Sequence, residues 1–389
     1  MITREKLVRC AAAVVDGMNL KRGEAVLILG GVHAQDFLEE IGLLCLKRGA
    51  IPLISSTSDG YKARTFEEIP KDVLSITPKH LLAAAKEIDA QIAIEPYRDP
   101  AVLTRIPVEK ISASQEGRVP IRKVLYGEET GRGKKWTYAA WPTPEAAKFY
   151  GISYDDLERL TLDGMVVPAL LLKENCVRLA KRLRGKDMVR VTDSKGTDFV
   201  CKIKDRRLNE DDGVVDDHDI ELNDLGNNLP AGELFIAPHE TVGEGTLYCP
   251  ITMDRLTNKL IKGVALHFKN GKLLLNDCTA KSNGDVMIES FKRCLKIDKK
   301  EKAVRTTNIA ELGIGCNPAI DKAIGYILTD EKLIGSVHVA FGNNHGYGGT
   351  SRSSMHWDFV SHPSATIEVV GTGEVIMKDG KLAQGGFKP

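Results

Sequence analysis

The feature that most constrains this chain is a change of hydrophobic period near residue 185. Before it, apolar residues recur at helical spacing over 4–18, 34–47 and 79–88. Short apolar runs at 25–29, 51–55 and 91–94 alternate with those helical stretches. Strand–helix–strand alternation of this kind implies a parallel sheet covered by helices. From 188 onward the pattern changes to successive strands: MVRVTD, DFVCKIK, ELFIAP, GTLYCP, GVALHFKNGKLLLND, SVHVAFG and ATIEVVG. The expected fold class is therefore α/β, with an N-terminal parallel α/β domain over 1–184. A β-rich α+β domain follows over 185–389.

Local signals sharpen this outline. Thr143 can cap a helix that opens with Pro144. A basic amphipathic helix over 173–184 should stop at Gly185. Asn270-Gly271 and Asp379-Gly380 each sit between apolar runs and predict tight hairpin turns. Gly30-Gly31 follows the first apolar run without a GxGxxG pattern, so it reads as a turn. The stretch 97–141 is basic, with Arg118, Arg122, Lys123, Arg132, Lys134 and Lys135. It reads as a solvated face and loop, or functionally as a lid or a site for a substrate carboxylate.

Composition removes several function classes. A net charge of +1 gives no global electrostatic case for nucleic acid or for acidic membranes. The longest apolar runs, such as 166–172, fall far short of the roughly 20 residues of a spanning helix. The N-terminal stretch has charges within an amphipathic pattern and no apolar signal core, so a cytoplasmic location is expected. The 8 cysteines are scattered without a C-x-x-C pair and read as reduced, buried small hydrophobes rather than zinc ligands.

The residues able to carry chemistry lie in the second half. His356 and Asp358, two apart in HWD, share one face of a strand and can grip one metal ion. His338 lies in the middle of the apolar strand SVHVAFG. Glu233 in LPAGELFIAP and Glu311 in NIAELGIGCNP are embedded among apolar residues, a costly place for an unpaired carboxylate. Together these form a mixed oxygen and nitrogen donor set. It suits Zn, Co, Mn or Fe(II), singly or as a bridged pair. The loop GNNHGYGGTSRSS between the last two motifs offers His345, Tyr347, Ser351, Arg352 and Ser353 for substrate contact.

LPAGELFIAP, NIAELGIG, SVHVAFG and HWDFV, in this order, resemble the aminopeptidase T family of metallo-aminopeptidases. WTYAAWPTPEAAKFYGISYDDLE resembles it as well, and the likeness runs over most of the chain. The resemblance implies two metal ions held by Glu233, Glu311, His338, His356 and Asp358. It implies hydrolysis of N-terminal residues of small peptides by a metal-activated water, with Glu233 or Glu311 orienting that water. It also implies a homodimer. The family carries a tyrosine soon after its HVAFG-type motif. Here that place falls at His345, with Tyr347 two residues later, and either is expected to bind the oxyanion. The chain also resembles 2,5-dihydroxypyridine 5,6-dioxygenase. That likeness implies a single Fe(II) on His338, His356 and Asp358, ring cleavage of a dihydroxylated small molecule, and His345 as proton shuttle.

Overall fold

The computed structural model describes residues 2–388 apart from Glu129, Glu301, Ala303 and Val304. The chain forms two compact units. One comprises residues up to 166 with 213–230 and 256–258. The other comprises 167–212, 231–255 and the chain from 259 onward. The expected single break at 184/185 is thus replaced by several crossings. The reason is local: Gly226–Leu229 is too short and polar to announce a strand, yet it completes the first unit's sheet.

That sheet has five parallel strands, in the order Ile51–Thr57, Ala25–Gly31, Ala90–Ile94, Lys135–Ala139 and Gly226–Leu229. Its centre is apolar, with Val26, Ile28, Ile92 and Ile94 buried. The helix Gln35–Lys47 buries Phe37, Leu38 and Ile41, as its 3.6-residue period requires. Thr143 caps the helix Pro144–Tyr150 by accepting from the Ala146 amide. The basic stretch is more ordered than a loop. It contains the helices Val108–Gly117 and Val119–Leu125 and the strand Lys135–Ala139.

The second unit holds the helix Ala169–Leu183 and two antiparallel sheets, one of eight strands and one of five. Both foreseen hairpin turns are present. Asn270 and Gly271 have φ of 51° and 72°, and Asp379 and Gly380 have φ of 48° and 76°. Paired positive φ values give the turn whose twist matches the strands it joins.

The five-stranded sheet runs His356–Val360, Val337–Gly342, Ile309–Gly315, Glu233–Ile236 and Leu208–Asp211. Alternation along His356–Val360 separates two tasks. Trp357 and Phe359 enter the apolar core, where Trp357 stacks on Phe291 at 5.7 Å. His356 and Asp358 occupy the opposite face. All eight cysteines are free thiols and seven are buried. Among the described residues, no helix is long and apolar enough to cross a membrane.

Candidate metal centre

Strand register assembles the centre. In the five-stranded sheet Asp358 pairs with Ala340, His338 pairs with Gly313, and Gly315 pairs with Glu233. Glu311 also lies opposite Ala340, next to a one-residue irregularity in its strand. Bulges of this kind re-aim side chains. The positions between the ligand candidates are therefore glycine or alanine. Gly313 is needed there: a Cβ at this position would meet Nε2 of His338 at 1.9 Å. The imidazole lies flat across the bare backbone of the neighbouring strand.

The five ionisable groups converge. His338 is 0% exposed, and its Nε2 lies 3.1 Å from Glu233 Oε2 and 3.2 Å from Glu311 Oε1. His356 Nε2 lies 3.8 Å from the other Glu311 oxygen, Oε2, and 3.3 Å from Asp358 Oδ2. Two donor sets result, Glu233–Glu311–His338 and Glu311–His356–Asp358, each with ligand atoms mutually within 4.8 Å. Glu311 belongs to both.

The donor atoms suit a cation. Glu233 Oε2 and both Asp358 oxygens are buried and accept no hydrogen bond. Buried carboxylate oxygens are normally satisfied, and these face a common interior with imidazole nitrogens instead. The His356 ring is oriented from behind. Its Nδ1 donates to Asn343 O at 2.8 Å, which leaves the Nε2 lone pair directed at Asp358 and Glu311. Oxygen and nitrogen donors in this ratio accept several divalent metals.

The chain belongs to the M29 family of thermophilic metalloproteases. The family match covers residues 3–382. No curated protein sequence matches the chain significantly. Among solved structures, AmpT from Thermus thermophilus is similar with a TM-score of 0.74 and 20% identity, covering 98% of this chain and 100% of that one. 2,5-Dihydroxypyridine dioxygenase from Pseudomonas putida is similar with a TM-score of 0.58 and 13% identity, covering 99% of each chain. At these identities the two neighbours establish a shared fold. Family membership makes the chain a metal-dependent peptidase.

Electrostatics across this cluster follow from burial. Burial opposes charge on His338, but Glu233 and Glu311 outweigh it and hold its pKa well above the ordinary value. Burial likewise opposes charge on His356, yet Asp358 and Glu311 raise it to about 9. A proton and a divalent ion compete for these same Nε2 lone pairs. Asp358 is kept ionised despite burial, chiefly by His356 and then by His338 and Arg255. Burial, with Glu311 and Asp358 nearby, pushes the Tyr347 phenol well above its usual range, so it stays protonated.

The loop between the last two motifs is pinned rather than free. The Asn344 side chain donates to Glu240 Oε1 and Ala310 O and accepts from the Ser351 amide. The Thr350 amide and hydroxyl also reach Glu240, while Ser353 and Ser354 bond Asp298. Ser351 and Ser353, offered by the sequence for substrate contact, are spent on this anchoring. Tyr347 is held over the centre: its hydroxyl lies 3.2 Å from Asn343 O and 3.4 Å from His356 Nδ1.

His345 departs from expectation. It is exposed, and its Nε2 contacts the Arg352 guanidinium. The short 3-10 turn His345–Tyr347 separates the two side chains, and the Tyr347 hydroxyl is the one beside Glu311. Two residues absent from the sequence reading also matter. Arg255 donates to His356 O at 2.9 Å and comes within 4.0 Å of Asp358. Lys332, with 0% exposure, bonds Glu233. Lys332 follows Asp330 and Glu331 in TDEKLIG, so nothing local marks it as buried.

Proposed function

We propose that this M29 metalloprotease is an aminopeptidase working with two divalent ions, zinc, cobalt or manganese. Glu233, Glu311 and His338 would hold one, and Glu311, His356 and Asp358 the other. One observation carries this: the two oxygens of Glu311 face two different imidazoles, at 3.2 and 3.8 Å. A carboxylate so placed suits a bridge. A centre for a single Fe(II) has no use for Glu233 and Glu311 as well. The specificity for free N-termini is supported by the motifs shared with the aminopeptidase T family.

Divalent ions bound there supply a lowered pKa for water and Lewis acidity toward the scissile carbonyl. The chain's own groups do the rest. Glu233 and Glu311 would orient the attacking water by fixing where the ions that bind it are held. The Tyr347 hydroxyl, kept protonated by burial, donates to the tetrahedral oxyanion. In the structure that hydroxyl donates to Asn343 O at 3.2 Å, so its proton turns from this carbonyl to the oxyanion while the anchored loop holds the ring in place.

The test compares aminoacyl p-nitroanilides and short peptides with free or acetylated N-termini, each with added zinc, cobalt or manganese. Turnover of the free and not the acetylated substrates is expected, with two ions per chain by elemental analysis. No turnover of any substrate with any metal would sink the proposal. One iron per chain with oxygen uptake on dihydroxypyridines would replace it with the dioxygenase reading. The family likeness further implies a homodimer, which sedimentation analysis checks.

A further inference from the structure

Glu233 and Asp211 stand directly opposite each other on paired strands. Like charges in that position repel, and both side chains are largely shielded from water. The Lys332 ammonium resolves the conflict. Its three N–H donors meet three carboxylates: Glu233 Oε1, Asp211 Oδ2 at 3.2 Å and Glu331 Oε2 at 3.3 Å. Burial works against the ammonium, but Glu233, Asp211 and Glu331 outweigh that and keep it charged.

The lysine is delivered by backbone packing. Gly315 pairs with Glu233, and a Cβ on Gly315 would meet Leu333 O at 2.2 Å and the Lys332 carbonyl carbon at 2.7 Å. The segment 331–333 therefore rests on the bare strand beside Glu233. The Asn317 amide ties it there by donating to Lys332 O at 3.1 Å. One Glu233 oxygen is thus engaged by a cation of the protein. The other, Oε2, takes no hydrogen bond and faces His338 Nε2 at 3.1 Å.

We propose that Lys332 is a positioning residue of the metal centre, clamping Glu233 by Oε1 so that Oε2 alone is presented to the ion of the Glu233–Glu311–His338 set. This rests on the two-ion reading above. Asp211 and Glu331 hold the ammonium at 3.2 and 3.3 Å, and neither belongs to the two donor sets. Among the described residues the Glu311–His356–Asp358 set has no such clamp, since its cation, Arg255, is half exposed and 4.0 Å away. Lys332 therefore acts on one of two ions.

Competition for zinc between the full-length protein and a chromophoric chelator reads two dissociation constants. Lys332→Met is expected to raise one of them about 10–100-fold, the usual effect of removing a partner that orients a ligand. The other should stay within about threefold. Glu233→Gln should raise the same constant. The double variant should bind no more weakly than Glu233→Gln alone, because Lys332 works through Glu233. If Lys332→Met does not fold, Asp211→Asn, which loosens the ammonium and keeps its charge, must raise that same constant. Constants that shift together, neither shifting, or additive losses in the double variant overturn the role of Lys332. A wild-type protein that takes up no zinc overturns the metal centre itself, which distinguishes the two failures.

Discussion

The molecule contains two five-stranded sheets, and one face of the antiparallel sheet is spent differently from anything in the parallel one. The parallel sheet buries Val26, Ile28, Ile92 and Ile94 at its centre. The antiparallel one sends Leu312, Val339, Trp357 and Phe359 into the apolar core from one face and gathers Glu233, Glu311, His338 and Asp358 on the other. The first contributes stability through apolar burial. The second gathers charge that costs free energy to desolvate and is tolerated when paired or when it holds a cation. Apolar packing and the proposed metal chemistry therefore fall on different faces, and substitutions should divide accordingly.

The sharpest division is expected at Glu311. On the proposed mechanism Glu311→Gln disrupts both donor sets. Peptidase activity should fall on the order of 10³-fold, the loss of several kcal/mol of Lewis-acid assistance. Elemental analysis should show ion content falling with it. Retention of both ions would break the contrast.

Ile28→Ala in the parallel sheet should do the reverse. Unfolding free energy should drop by about 2–5 kcal/mol in denaturant titration, the cost of a core cavity. Ion content per folded chain should not change. Tyr347→Phe tests the division within the centre: kcat should fall about 10²-fold, the scale of one lost oxyanion donor, with both ions retained.

A smaller effect is expected from the loop anchor. Burial opposes ionisation of Glu240, but the Thr350 amide, Arg206 and Asn344 hold it at about 2, below its ordinary 4.5. The folded pKa is depressed, so this contribution to stability is complete above pH 4.5 and is lost as pH falls toward 2. The melting-temperature gap between wild type and Glu240→Gln should therefore be wide at pH 7 and narrow in acid. Smallest of all should be His345→Ala. An exposed side chain outside the donor sets should change kcat/KM by less than about threefold. A larger loss would return His345 to the site.

Local pattern was enough for much of this. Period and turn chemistry act over a few residues, so the alternating half, the hairpins at Asn270-Gly271 and Asp379-Gly380, and the Thr143 cap were all legible in sequence. The five candidate ligands were legible too, because ionisable residues inside apolar runs stand out whatever surrounds them. What only the tertiary structure decided depends on contact across long separations. Lys332 and Glu233 lie 99 residues apart, and no periodicity links them. The bare positions at Gly313 and Gly315 acquire meaning only once strand register sets an imidazole and a backbone against them. Tyr347 lies beside Glu311 in place of His345 because a single turn separates the two side chains, a placement that residue type does not encode. The return of Gly226–Leu229 to the parallel sheet is of the same kind: four residues too polar to read as a strand are held there by pairing with their neighbour.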